Sequence, residues 1–150
     1  MMEASFTATL DDLDSMIDHI LCYAKALCFS KEQLFQIELA AEEALVNICT
    51  YAYPKDAPGP VSIRCSATQD KGIHLVLRDE GIPFDPVEKN RGFDPEEKRI
   101  RGTVGGYGIF LMHSMVDQIQ YHREGTTNTL TLIKQNSQTP NSKPQEALRN

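Results

Sequence analysis

The chain has 150 residues, 15 of them Lys or Arg against 21 Asp or Glu, for a formal charge of −6 at pH 7. That length suits one domain, and 41% hydrophobic against 24% charged residues supplies a core and argues against wholesale disorder. The net acidity speaks against nucleic-acid binding by phosphate neutralisation, which needs clustered excess Lys and Arg. No stretch approaches the roughly 20 consecutive apolar residues that span a bilayer, and the N-terminus lacks the basic and apolar regions of an export signal. A cytoplasmic protein with no direct nucleic-acid or membrane contact is expected. Cys22, Cys28, Cys49 and Cys65 form no C-x-x-C pair and have no neighbouring His at ligand spacing, so they are expected to be reduced and to serve as small hydrophobes.

In chain order, Phe6 to Leu10 reads as a short edge strand or an extended entry, and from Asp11 the period changes. Leu13, Met16, Ile17, Ile20, Leu21, Ala24, Leu27 and Cys28 recur at helical spacing, with Asp11, Asp12 and Asp14 suited to the N-terminal dipole. A second helix starts at Ser30, because Ser30 and Gln33 stand at capping-box spacing. Its stripe is Leu34, Ile37, Ala41, Leu45, Ile48 and Ala52, and the Pro-rich run from Pro54 to Pro60 ends it. Val61 to Ala67 and Ile73 to Leu77 alternate as two strands of a hairpin joined near residues 69–72. The same alternation carries Asp79 to the covered face, where an acid needs a partner.

Residues 85–104 mix charges with Pro86, Gly92, Pro95 and Gly102 and read as one long loop. A short apolar helix follows from Gly105-Gly106-Tyr107-Gly108, then two strands, about Val116 to Arg123 and Asn128 to Lys134, turning over residues 124–127. The polar stretch from Gln135 to Asn150 reads as a disordered tail, leaving 1–134 as the domain. The element order implies an α+β two-layer sandwich, a mostly antiparallel sheet covered on one face by helices.

Three local signals carry chemistry. Glu43 and Asn47 lie one helical turn apart at the rim of the apolar stripe, where a carboxylate can act as a base and an amide oxygen can ligate a hard cation; ordinary helix-surface residues have the same spacing. Asp79-Glu80-Gly81 after a strand offers an inward acceptor for an exocyclic amine and a residue without Cβ that admits a ring, or simply a tight turn. Gly105, Gly106 and Gly108 at a helix start can turn backbone N–H groups toward a phosphate, or act as a hinge. In sequence the three fit a single nucleotide lying between helices and sheet, with the long loop as a lid.

With these motifs the chain resembles the GHKL superfamily of ATP-binding domains and, within it, bacterial anti-sigma-factor serine/threonine kinases. Glu43-Ala44-Leu45-Val46-Asn47 with Ala52-Tyr53-Pro54 is similar to their N box, Arg78 to Pro86 to their G1 box, and Gly105 to Leu111 to their G2 box. The resemblance implies a Bergerat-type ATP-binding fold, with Glu43 as general base, Asn47 holding Mg²⁺, Asp79 accepting from the adenine amine, Gly81 making room for the ring, and Gly105, Gly106 and Gly108 lining the phosphates of ATP. It also implies a STAS-type anti-anti-sigma protein as phosphoryl acceptor, a sequestered sigma factor and a homodimer. Two departures stand out: Tyr51 where relatives often carry His, and Asn128 near the position of a Thr that touches the adenine site. Among the lid cations Lys89, Arg91, Lys98, Arg99 and Arg101, Arg101 is the favoured partner of the γ-phosphate; the alternative is that these are solvated loop charges balanced by Glu88, Asp94, Glu96 and Glu97. Two other readings are a non-catalytic, nucleotide-dependent binding module of the same fold and a detached histidine-kinase-like ATPase domain. The second is disfavoured because no phosphoacceptor-histidine helix is recognisable.

Overall fold

The structure, a computed structural model, describes residues 1–97 and 107–136. The first strand, β1 (Met2–Thr7), starts at Met2 and not at Phe6, and a single 3-10 turn over Leu10–Asp12 leads into α1 (Leu13–Ala26). The helix buries Met16, Ile17, Ile20 and Ala24, at the spacing the sequence shows. Cys28 departs from the expected stripe. It is exposed and sits at φ 61°, the left-handed residue that turns the chain out of α1. Cys22 is exposed as well, so only Cys65, which is buried, and the half-buried Cys49 serve packing as expected.

The second helix, α2 (Lys31–Asn47), opens with the full capping box: Gln33 N–H donates to Ser30 Oγ (3.1 Å), and Ser30 N–H donates to Gln33 Oε1 (3.2 Å). Small buried residues, Ala40, Ala41 and Ala44, allow α2 to pack between α1 and the last helix. Beyond Asn47 the helix widens into one π turn, Ile48–Ala52, which the apolar stripe alone does not reveal.

Strands β2 (Pro60–Ala67), β3 (Ile73–Asp79), β4 (Gln118–Glu124) and β5 (Thr127–Lys134) complete an antiparallel sheet in the order β1-β2-β3-β5-β4. Its covered face presents Val61, Ile63, Leu75, Leu77, Leu130 and Leu132, all buried. Each such side chain contributes roughly 1.5–3 kcal/mol of hydrophobic stabilisation. Gly125, at φ 62°, makes the β4–β5 turn between the paired residues Glu124 and Thr127, tighter than the expected four-residue turn.

The segment expected to be one long loop contains a short helix, α3 (Pro86–Asn90). Asp85 caps it, accepting from Val87 N (2.9 Å) and Glu88 N (3.1 Å), and Pro86 stands in the first turn, where its missing N–H costs nothing. The last helix, α4 (Tyr107–Met115), lies beside α2. Residues 98–106, and with them Lys98, Arg99, Arg101, Gly105 and Gly106, lie outside the described residues.

The start of the expected tail is held by the fold. Gln135 N–H donates to Asp117 Oδ2 (2.7 Å), and the buried Asn136 donates to Leu27 O at the end of α1 (2.8 Å). Residues 137–150 lie outside the described residues. The architecture is the expected α+β sandwich, with helices on one face of an antiparallel sheet. Among the described residues no helix is long and apolar enough to cross a membrane.

Candidate functional site

Register places the acid. Asp79 pairs with Val61 on one side and Asn128 on the other, on the row of β3 that faces the helices, and it is only 6% exposed. Its Oδ1 accepts from Gly81 N (2.9 Å) and from Asn128 Nδ2 (2.8 Å). Asn128, 4% exposed, also donates to Ile82 O (3.0 Å) and Gly81 O (3.3 Å). Its own Oδ1 accepts from Tyr121 OH (2.5 Å) and Arg123 Nη1 (2.9 Å), and the same Arg123 nitrogen donates to Gly81 O (2.9 Å). One oxygen of the buried carboxylate is thus held by the buried amide and by the turn that follows β3, and the amide is satisfied by Asp79, by that turn and by Tyr121 and Arg123.

That turn is fastened to the end of α2. Ile82 N–H donates to Ala52 O (2.9 Å), and a Cβ on Gly81 would stand 2.1 Å from that carbonyl oxygen. Glycine is therefore required at this position by the backbone of the π turn, a reason the sequence does not display. Tyr53 completes the latch: its hydroxyl accepts from Glu80 N (2.7 Å) and donates to Pro60 O (2.5 Å). Burial pushes the Tyr53 phenol above its usual range, against the opposing effect of the Glu80 N–H.

Two connected hollows lie above this floor. The inner one is walled by Ala44, Ile48, Met112 and Leu130, with Asp79, Asn128 and Tyr121 among its polar residues. The outer groove, about 1030 Å³ and open to solvent, is lined by Glu43, Tyr51, Lys89 and Gly108, while Asn47, Ile82 and Phe84 line both. An apolar recess with a few convergent polar groups, opening into a polar groove, suits a ligand with a flat apolar head and a charged tail.

Helix spacing brings Glu43 and Asn47 to this groove together, one turn apart on α2. Glu43 Oε2 lies against the first turn of α4, where a Cβ on Gly108 would stand 2.2 Å from it. Gly108 therefore makes room for the Glu43 carboxylate. Tyr51 stacks on Phe84 (centroids 5.5 Å apart, 7° between planes), and Lys89 Nζ lies 5.1 Å from the centre of the Phe84 ring. Among the described residues no three His, Cys, Asp or Glu side chains converge. The donor set at the groove is instead one amide, Asn47, beside a carboxylate. That fits Mg²⁺, which binds through one or two protein oxygens, several waters and its ligand's phosphates.

Of the expected site residues, the structure brings together Glu43, Asn47, Asp79, Gly81 and Gly108; Gly105 and Gly106 fall outside the described residues, as does Arg101. Sequence reasoning missed Tyr121, Arg123 and the Ala52 carbonyl. The available signal for Arg123 was its place across the β4–β5 turn from Asn128, its Cα partner.

The histidine kinase-like ATPase domain family matches this chain over residues 6–134. Serine-protein kinase RsbW of Bacillus licheniformis is 28% identical over 112 residues, covering 72% of this chain and 69% of that protein. RsbW of Bacillus subtilis is 27% identical over 112 residues with the same coverage, 72% and 69%. Among solved structures, the SiaB-SiaC complex from Pseudomonas aeruginosa contains a chain that superposes with a TM-score of 0.61 at 12% identity, covering 87% of this chain and 88% of that one. The blue-light activated histidine kinase of Erythrobacter litoralis EL346 gives 0.57 at 18% identity, covering 86% and 41%. These two structures share the fold. With the family match spanning residues 6–134, the chain belongs to the histidine kinase-like ATPase domain family, with the serine-protein kinases RsbW among the proteins it resembles.

Proposed function

We propose that this protein is an ATP-dependent serine/threonine kinase that phosphorylates a STAS-type anti-anti-sigma protein and holds a sigma factor, working in the cytoplasm as a homodimer. The observation that carries the reading is the pairing of Glu43 and Asn47 on one face of α2, at the mouth of a recess whose polar floor is Asp79. The adenine enters the inner hollow with its amine toward Asp79, and the triphosphate runs out along the groove past Asn47. Asn47 would hold Mg²⁺ there, and the ion would neutralise charge on the phosphates.

Glu43 stands where a protein hydroxyl would meet the γ-phosphate. It takes the hydroxyl proton as the hydroxyl oxygen bonds to the γ-phosphorus, while the bond from that phosphorus to the β,γ-bridging oxygen breaks and ADP leaves with the electron pair. Lys89, over the Phe84 ring at the groove wall, adds positive charge near the phosphates. The named serine kinases among the relatives support transfer to serine.

The test is transfer of label from γ-labelled ATP to a STAS-type protein. The unaltered chain labels its partner, and Glu43→Ala binds nucleotide but loses transfer by roughly 10²–10⁴-fold. Transfer that survives in Glu43→Ala would remove Glu43 from the role of base. Nucleotide binding by the unaltered chain without any labelling would favour a regulatory binding module.

A further inference from the structure

We propose that Arg123 is a positioning residue that sets the base preference of the pocket, acting through Asn128 on Asp79. The proposal rests on the ATP-binding reading above and extends it to the choice between 6-aminopurine and 6-oxopurine nucleotides.

Arg123 lies on the edge strand β4, directly across from Asn128, on the side facing the helices. Among the described residues its guanidinium makes no ion pair; its partners are two neutral oxygens, Asn128 Oδ1 and Gly81 O, each at 2.9 Å. Half-burying a cation against neutral oxygens is a poor way to stabilise a hairpin, since desolvation offsets much of the gain. What the arrangement does supply is orientation. An asparagine amide has two orientations of nearly equal shape, and its neighbours decide between them. Here Tyr121 OH and Arg123 both donate to Oδ1, while Asp79 Oδ1, Gly81 O and Ile82 O all face Nδ2. The flipped amide would set oxygen against oxygen and nitrogen against two donors.

The fixed amide in turn holds Asp79. Its Oδ1 is engaged by Asn128 and Gly81 N–H, while Oδ2 makes no hydrogen bond among the described residues and remains an acceptor for the inner hollow. A purine with an amine at C6 donates to that oxygen. A purine with a carbonyl there sets acceptor against acceptor, and a carboxylate that cannot swing away rejects it. Arg123 is not among the residues lining the hollow, whereas Asn128 and Tyr121 are, so its influence on the base passes through Asn128.

The experiment titrates the unaltered chain, Arg123→Met, Arg123→Lys and Tyr121→Phe with ATP and with inosine triphosphate, both with Mg²⁺. The two nucleotides differ at the purine C6 position and share sugar and phosphates. The unaltered chain prefers ATP. Arg123→Met, which keeps the apolar stem, narrows the preference by about tenfold, mainly by weakening ATP. Arg123→Lys restores part of it, and Tyr121→Phe, which removes one hydroxyl from the hinge of the amide, narrows it in the same direction by less. A merely structural residue would weaken both nucleotides alike. An unchanged ratio in Arg123→Met overturns the proposal, and if that variant does not fold, an unchanged ratio in Tyr121→Phe does so. An unaltered chain that binds neither nucleotide refutes the ATP-binding reading and this proposal with it.

Discussion

At the closed end of the cleft, Asp79 and Asn128 are 6% and 4% exposed, and the fold itself engages the Asn128 amide and one Asp79 oxygen, Oδ1, in hydrogen bonds. At the open end, the side chains of Glu43, Asn47 and Lys89 make no hydrogen bond or ion pair among the described residues. The closed end is shaped by the same contacts that close the sheet onto α2, so the base is met by a preformed surface. Among the described residues the open end leaves these polar groups without hydrogen-bond or ion-pair partners, and in the proposed reading a phosphate chain with its cation satisfies them. Changes at the closed end should cost stability and affinity together, because a buried partner left unpaired costs about 1–3 kcal/mol. Changes at the open end should cost chemistry with little effect on stability.

After Glu43→Ala, the largest expected effect at the open end is that of Asn47→Ala. Calorimetry should show the Mg²⁺-dependence of ATP affinity largely gone and the melting temperature unchanged; an affinity that still rises with Mg²⁺ as in the unaltered chain would take Asn47 out of the metal shell. Gly108→Ala comes next. Alanine favours a helix by up to about 1 kcal/mol, so α4 should hold, but the new Cβ, 2.2 Å from Glu43 Oε2, displaces the base. Transfer should fall about tenfold or more with ATP binding retained, by the scale that displaced catalytic groups show. Full activity would mean that Glu43 works from another position.

The smallest effect belongs to pH and separates the latch at the closed end from the rest of the fold. Burial raises the Tyr53 phenol above 10.0 and the Cys65 thiol from 9.0 to about 11. Both are acids kept protonated by the fold, so their contribution is full below the unfolded values and is lost as pH rises through the folded ones. Thermal melts should be flat in this respect up to about pH 9 and then decline. Tyr53→Phe and Cys65→Ala should each reduce that decline, and an unchanged pH dependence in both would contradict the assigned causes.

How much of this could be read from residues alone depends on whether the information was local. The Ser30–Gln33 capping box and the inward phase of Asp79 follow from spacing within one element, and the structure has both. The α3 helix escaped notice because Pro86, read as a breaker, stands where a helix begins. Arg123 and Tyr121 acquire their roles only from the pairing of β4 with β5, and Gly81 from a π turn thirty residues earlier in the chain; neither is visible in a single periodicity. The same holds for Gly108, whose lack of a side chain matters because Glu43 reaches it from a different helix.

The central claim, that Asp79 at the end of β3 receives the base of a nucleotide whose phosphates lie by Asn47 and Glu43, is tested most directly by titrating MgATP into the unaltered chain and into Asp79→Asn, which keeps the shape and removes the charge. Saturable binding by the unaltered chain, weakened about a hundredfold or more in the variant, is the predicted result. Equal affinity in the two proteins would contradict it.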